Sequence, residues 1–265
     1  TYAGAGTSTD KTAAGVPGNA TPVGWGTFLT PGGDLYRDTT KIASGVIYAT
    51  AEYGPYVGTT FQTVAGVFFA NDTTVTNRTS QGVPADAKPV GWDTYLTPTG
   101  DLYRGTTKAV TGVMAAYAQY SIDLSSVGYM YQTAAGVTSV TSQGTINRTS
   151  QGVPANAKPV GWDTYLTPTG ELYRQATLID TGVTAARSYY STNVVVTYTT
   201  AAGAFIYSGS IQSRTAGGVP ANATPTGWDL WLTPDGDLYY GTTKVDSNVA
   251  AATSQYAAGT YTLTT

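Results

Sequence analysis

The sequence predicts an all-β protein made of four tandem repeats of about 66 residues, the fourth divided between the two chain ends. Three observations predict it. One phrase, opening Gly-Val-Pro and ending Leu-Tyr, recurs four times. The stretches between recurrences are rich in Val, Thr and Tyr and punctuated by Gly, which is the composition of short strands joined by turns. The text that follows the last recurrence is too short for a whole repeat, and it continues at the N-terminus.

The four phrases read GVPGNATPVGWGTFLTPGGDLYR, GVPADAKPVGWDTYLTPTGDLYR, GVPANAKPVGWDTYLTPTGELYR and GVPANATPTGWDLWLTPDGDLYY. Over residues 77–100 and 147–170 the copies differ only at Asp86 against Asn156. The spacings between Trp25, Trp92, Trp162 and Trp228 are 67, 70 and 66 residues. Trp228 is followed by 37 residues, so joining tail to head puts Trp25 62 residues beyond it. Thr264-Thr265-Thr1-Tyr2-Ala3-Gly4-Ala5 also reads like Thr199-Thr200-Ala201-Ala202-Gly203-Ala204. The organisation is therefore 1–14 as the N-terminal part of repeat four, 15–81 as repeat one, 82–151 as repeat two, 152–217 as repeat three and 218–265 as the first part of repeat four. Each repeat has a fixed half and a variable half, and variation in repeat proteins collects on exposed or ligand-facing surfaces.

In the fixed half, Trp92 to Leu96 alternates like a strand, with Trp92, Thr94 and Leu96 on one face. Thr97-Pro98-Thr99-Gly100 has Pro where a turn needs its fixed φ and Gly at the fourth position, and Asp101 to Arg104 returns, giving a hairpin. The stretches 109–120, 128–133 and 137–141 read as further strands, the Ala-rich piece around Ala115 also being compatible with a helical turn. The expectation is four or five strands per repeat. A lone unit of this size buries only about 60% of its unfolded surface, so repeats should pack on one another. The split repeat would be completed by pairing of head and tail, either within one chain to close a ring or between chains to make a filament, unless the chain is a window cut from a longer array.

Composition narrows the function. Charged residues are only 11%, the net charge is −3, and there is no basic run, which argues against a nucleic-acid partner. The chain has neither cysteine nor histidine, which removes disulfides, thiolate chemistry and Ser-His or Cys-His nucleophiles. No stretch approaches the ~20 apolar residues of a membrane-spanning helix, so no membrane insertion is expected. The first residue is Thr1, consistent with a removed leader or a fragment. Sequons at Asn19, Asn71, Asn77, Asn147 and Asn222 are possible glycosylation sites.

Candidate chemistry is sparse. Asp34, Asp101, Glu171 and Asp237, with Asp93, Asp163 and Asp229, offer paired carboxylates suited to acid–base work on a glycan. The competing expectation is that they cap turns or pair with Lys and Arg. Asp235 and Asp237 have the spacing of a calcium-loop fragment, but that spacing is private to repeat four, and no cofactor or metal is expected. The aromatics are more suggestive. Trp25, Trp92, Trp162 and Trp228 are each followed three residues later by Phe28, Tyr95, Tyr165 or Trp231. Tyr36, Tyr103, Tyr173 and Tyr239 come next, flanked by Arg37, Arg104, Arg174 or Tyr240. A ring face beside Arg and a carboxylate suits a sugar, so the Trp, Tyr and Arg of each set are candidate glycan-binding residues. The alternative is that the tryptophan packs between repeats.

The phrase GW-x-x-Y/F-L-x-P-x-G-x-LY resembles, over some fifteen residues per repeat, the blades of lectin propellers of the tachylectin type. The copies here are shorter than that family's blade, and no residue role is carried over. The expected function is a non-enzymatic extracellular, cell-surface or virion-surface structural or adhesive protein. Identical subunits would join it head to tail by strand complementation into a fibre. The alternative is a multivalent lectin closed into a four-unit propeller-like ring, with cell-surface or matrix glycans as partners.

Overall fold

The computed structural model describes residues 2–4, 7–120, 127–190, 194–257 and 260–264. Among the described residues each repeat forms eight strands rather than four or five. In repeat two the fixed half gives Lys88–Gly91, Thr94–Leu96, Leu102–Arg104 and Thr107–Val110, and the variable half gives Val113–Tyr120, Val127–Thr133, Gly136–Thr141 and Gly144–Asn147. Each half is an antiparallel meander of four, and the same order recurs in the other repeats. The Ala-rich stretch around Ala115 is strand, not helical turn.

The hairpin about residues 97–100 forms, with Tyr95 opposite Tyr103 and Leu96 opposite Leu102. Gly100 donates its backbone N–H to the Thr97 carbonyl, and Thr97 Oγ1 accepts the Asp101 N–H, which closes the turn. One expectation fails. Trp92 does not begin the second strand: Gly91 pairs with Thr94, and Trp92-Asp93 is the two-residue connection between them. Asp93 has a φ of 39°, in the left-handed region that ends strand geometry and that Asp tolerates. The alternation of Trp92 with Thr94 and Leu96 therefore does not apply.

The first strand of each meander is innermost. Thr21–Gly24, Val46–Tyr53, Lys88–Gly91, Val113–Tyr120, Lys158–Gly161, Val183–Tyr190, Thr224–Gly227 and Thr253–Ala257 each touch the next, and the last returns to the first. Fixed and variable inner strands run parallel, Gly91 opposing Ala118 and Gly161 opposing Ser188. This contact explains the glycine of the Gly-Trp motif: a Cβ on Gly91 would lie 1.8 Å from the Ala118 carbonyl oxygen.

The final sheet is completed by both ends of the chain. Its strand order is Thr7–Thr9, Tyr2–Gly4, Thr260–Thr264, Thr253–Ala257, with Tyr2 opposing Thr264 and Gly4 opposing Thr262. Head and tail thus pair within one chain and the circle closes.

The core alternates around this circle. Within repeat three, Leu172 and Val183 meet Val196 and Tyr198 between the two halves. Between repeats, Met130 and Val137 of repeat two meet Val153, Ala157 and Tyr165 of repeat three. Corresponding clusters join repeats one and two through Val67 and Tyr95, and three and four through Ala204 and Trp231. Each large side chain so buried contributes roughly 1.5–3 kcal/mol, so the seams carry much of the fold's stability.

Candidate functional site

The seams account for most of the side chains singled out by sequence. Trp92 and Trp228 are buried, while Trp25 and Trp162 are half-buried. Trp92 of repeat two lies against Phe69 and Tyr56 of repeat one, with ring centroids 5.5 and 5.4 Å apart. Gly58 makes room for it, since a Cβ there would meet the indole at 2.7 Å, and Gly128 does the same for Trp162. Where repeat three has Val195 instead, the side chain joins Tyr189 and Ile206 around Trp228. The tryptophans therefore take the packing role, and the rings of Trp92 and Trp228 offer no stacking face to solvent. Trp25 packs against Tyr53 in a tilted arrangement, centroids 4.8 Å apart.

The tyrosines follow the same pattern. Tyr36, Tyr103, Tyr173 and Tyr239 sit opposite Phe28, Tyr95, Tyr165 and Trp231 on adjacent strands. Tyr103 is buried in the seam, and Tyr173 and Tyr239 pack against the equivalent clusters. The arginines that follow them turn inward. Arg37 donates to Thr59 Oγ1 at 2.6 Å and to the Ala70 carbonyl at 3.1 Å. Arg104 donates to the Trp92 and Asp93 carbonyls, and Arg174 to the Asp163 carbonyl.

Sequence reasoning missed a different set of arginines. Arg78 forks onto Asp93, Nε to Oδ1 at 3.0 Å and Nη2 to Oδ2 at 2.6 Å. Arg148 grips Asp163 and Arg214 grips Asp229 in the same bidentate way. A third donor comes from the aromatic two residues beyond the aspartate: the Tyr95 and Tyr165 hydroxyls and the Trp231 indole N–H each reach the carboxylate at 3.1 Å. Burial, then the neighbouring carboxylate, pushes both tyrosine hydroxyls up, so they remain donors. A signal lay in the sequence: the junction of repeats four and one has Lys11, Gly26 and Phe28 at these positions, losing fork, acceptor and donor together.

The other carboxylates are also engaged. Asp34, Asp101 and Asp237 pair with Lys41, Lys108 and Lys244, and each backbone N–H is held by the threonine of its turn. Glu171 keeps the turn bond to Thr167 Oγ1. Among the described residues no group of three or more acidic side chains gathers as a metal would need. Asn19, Asn77, Asn147 and Asn222 are exposed, and Asn71 is half-buried with its Oδ1 accepting from Thr73 and Thr74.

What remains open is a cleft that repeats. In repeat two it is lined by Lys88, Val90, Leu96, Thr97–Gly100 side chains and backbone, and Met114, and holds about 600 Å³. In repeat three Lys158, Val160, Leu166, the turn at 167–170 and Thr184 line an equivalent cleft of about 590 Å³. Each offers one ammonium, threonine hydroxyls and a proline face, with no carboxylate and no general base in the lining. Lys88 also lies 4.8 Å over the ring of Tyr48, an exposed tyrosine of the preceding repeat. Repeat two has Ala115 at that register.

No protein-family model matches the chain, and no curated protein is significantly similar to it.

Proposed function

We propose that the chain is a non-enzymatic, extracellular adhesive ring that binds carbohydrate at several weak, equivalent clefts. The recurrence of one open cleft, with the same lysine, leucine, threonine and proline lining, supports the reading. Threonine hydroxyls and a lysine ammonium suit a ligand rich in hydroxyls, and the apolar Leu and Pro surfaces suit its C–H faces. Tyr48 adds an exposed ring beside Lys88, which makes the cleft of repeat two the stronger. Weak sites on one rigid body act together when the ligand is itself multivalent.

The fibre expectation draws on the two terminal strands that here pair within one chain. Size-exclusion chromatography with light scattering separates the two: a ring elutes as a 27.5 kDa particle at all concentrations, whereas concentration-dependent polymer would restore the fibre. A glycan array with wild type and Tyr48→Ala tests the ligand class. We expect a bound glycan whose signal falls in the variant; a folded wild type that binds no glycan overturns the proposal.

A further inference from the structure

The open clefts hold the lysines that the rest of the molecule leaves uncompensated. Lys11, Lys41, Lys108 and Lys244 each pair with an aspartate. Lys88 and Lys158 complete the lysines of the chain, and neither forms an ion pair with a described carboxylate. Both are exposed, and each lines a cleft of about 600 Å³ whose walls carry no acidic side chain. The chain as a whole is acidic, with a net charge of −3.

An exposed lysine can simply be solvated, but the other two repeats treat the same positions differently. In repeats one and four Thr21 and Thr224 stand where the lysines do. Each hydroxyl donates to the strand opposite, to the Leu29 carbonyl at 3.2 Å and the Leu232 carbonyl at 3.3 Å. The third residue of the turn changes in step. It is Thr99 or Thr169 in the repeats with lysine, Gly32 in repeat one and Asp235 in repeat four. Thr97 and Thr99 share a hydrogen bond of 2.9 Å, and Thr167 and Thr169 one of 3.0 Å, so each pair has one hydroxyl proton left to donate. Repeat one has no hydroxyl at that position, and repeat four has an exposed carboxylate. Positive charge and spare donor therefore occur together in two repeats and are lost together in the other two.

Resting on the carbohydrate reading above, we propose that the clefts of repeats two and three take an acidic saccharide, with its carboxylate or sulfate at Lys88 or Lys158. An ammonium is a compact point charge that suits either group. The threonine pair supplies a donor beside it, and Leu96 with Pro98, or Leu166 with Pro168, supplies apolar surface for the sugar's C–H faces. Tyr48 holds the Lys88 ammonium 4.8 Å over its ring, which restricts the side chain without neutralising it. Lys158 has Ala115 there instead. Just past the turn of repeat two, Asp101 is neutralised by Lys108 at 2.6 Å, whereas repeat three has Leu178 in place of that lysine beside Glu171. The cleft of repeat two is thus the tighter for an anion.

The test is a glycan array of matched triplets probed with the whole chain at about 50 and about 500 mM sodium chloride. Each triplet holds a neutral core, the same core carrying a sialic or uronic acid, and the same core carrying a sulfate ester. At low salt an acidic member should exceed its neutral core about tenfold or more, and high salt should remove most of that margin. The stronger acidic arm identifies carboxylate or sulfate as the source. Lys88→Gln combined with Lys158→Gln should erase the margin, and Lys88→Gln alone should remove more of it than Lys158→Gln. Lys41→Gln, which removes a paired lysine outside the clefts, should keep it. Equal binding of neutral and acidic members, or a margin that survives loss of both lysines, overturns this proposal while the carbohydrate reading stands. A folded chain that binds no glycan overturns both.

Discussion

The seam between repeats two and three and the seam that closes the circle do the same job with different chemistry. In the former, Arg148 and Asp163 form a two-pronged pair with side chains only 9% and 8% exposed, and Tyr165 donates to the same carboxylate. At the latter, Lys11 contacts Asp38 at 3.1 Å, and the Asp38 side chain is 63% exposed. Asp38 takes over from the missing aspartate by geometry: its N–H bonds the Gly26 carbonyl, just as the Gly105 N–H bonds Asp93. The carboxylate has moved across one turn, from a buried to a solvated position. Buried charge pairs are costly to break because one partner is left stranded, whereas exposed pairs contribute little. The seam between the split repeat and repeat one is thus the easier one to open, and it lies next to the sheet in which the chain ends pair.

The largest expected effect sharpens this contrast. Asp163→Ala strands the buried Arg148 and should destabilise by about 3–5 kcal/mol, whereas Lys11→Ala should cost under about 0.5 kcal/mol. Chemical denaturation measures both, and similar losses would erase the distinction.

Next comes Glu52 on the seam between repeats one and two, facing Arg104, Tyr117 and Tyr189. Burial pushes its carboxyl from 4.5 up to about 8 in the folded chain. The fold therefore favours the protonated form, and its stability declines as pH rises from about 4.5 to about 8 and then levels. Glu52→Gln keeps the shape and removes the titration. It should match wild type near pH 4 and exceed it at pH 9 by on the order of 2–3 kcal/mol, discounted for the residue's partial exposure. Melting curves at the two pH values decide it, and a difference that does not change with pH would contradict it.

The smallest effect is a gain. Grafting Lys11→Arg, Gly26→Asp and Phe28→Tyr together rebuilds the internal seam's trio at the closure. Gly26 has a φ of 53°, close to the 39–43° of the aspartates it would copy. An increase of about 1–2 kcal/mol is expected, and each substitution alone should give less, since the three act as one network. Additive single effects would show that the trio is not coupled.

Much of the fold is legible in the sequence, and for local reasons. The hairpin about Thr97 announces itself through Pro98 and Gly100. The split final sheet follows from the continuity of text across the termini. The extra strands of the fixed half are not legible, because Lys88–Gly91 and Thr107–Val110 are four residues each and carry Pro, Gly or Thr rather than an alternating apolar pattern. Trp92 misleads for a related reason: its apparent place in an alternation is cancelled by the left-handed Asp93 beside it. The Arg78 to Asp93 pair spans 15 residues and two elements, beyond any local pattern. It can be found only by noticing that the junction of repeats four and one loses both partners at once, to Lys11 and Gly26.

Everything above rests on the last sheet being completed by the chain's own head. Ala3 and Leu263 are directly opposed across that junction, and the chain has no cysteine of its own. Opposed residues of an antiparallel pair lie about 4.5–5.5 Å apart, within reach of a disulfide. Oxidising the Ala3→Cys, Leu263→Cys variant should therefore give a cross-linked monomer that migrates anomalously on a non-reducing gel at any protein concentration. A ladder of disulfide-linked oligomers, or free thiols in the folded protein, would contradict closure within one chain.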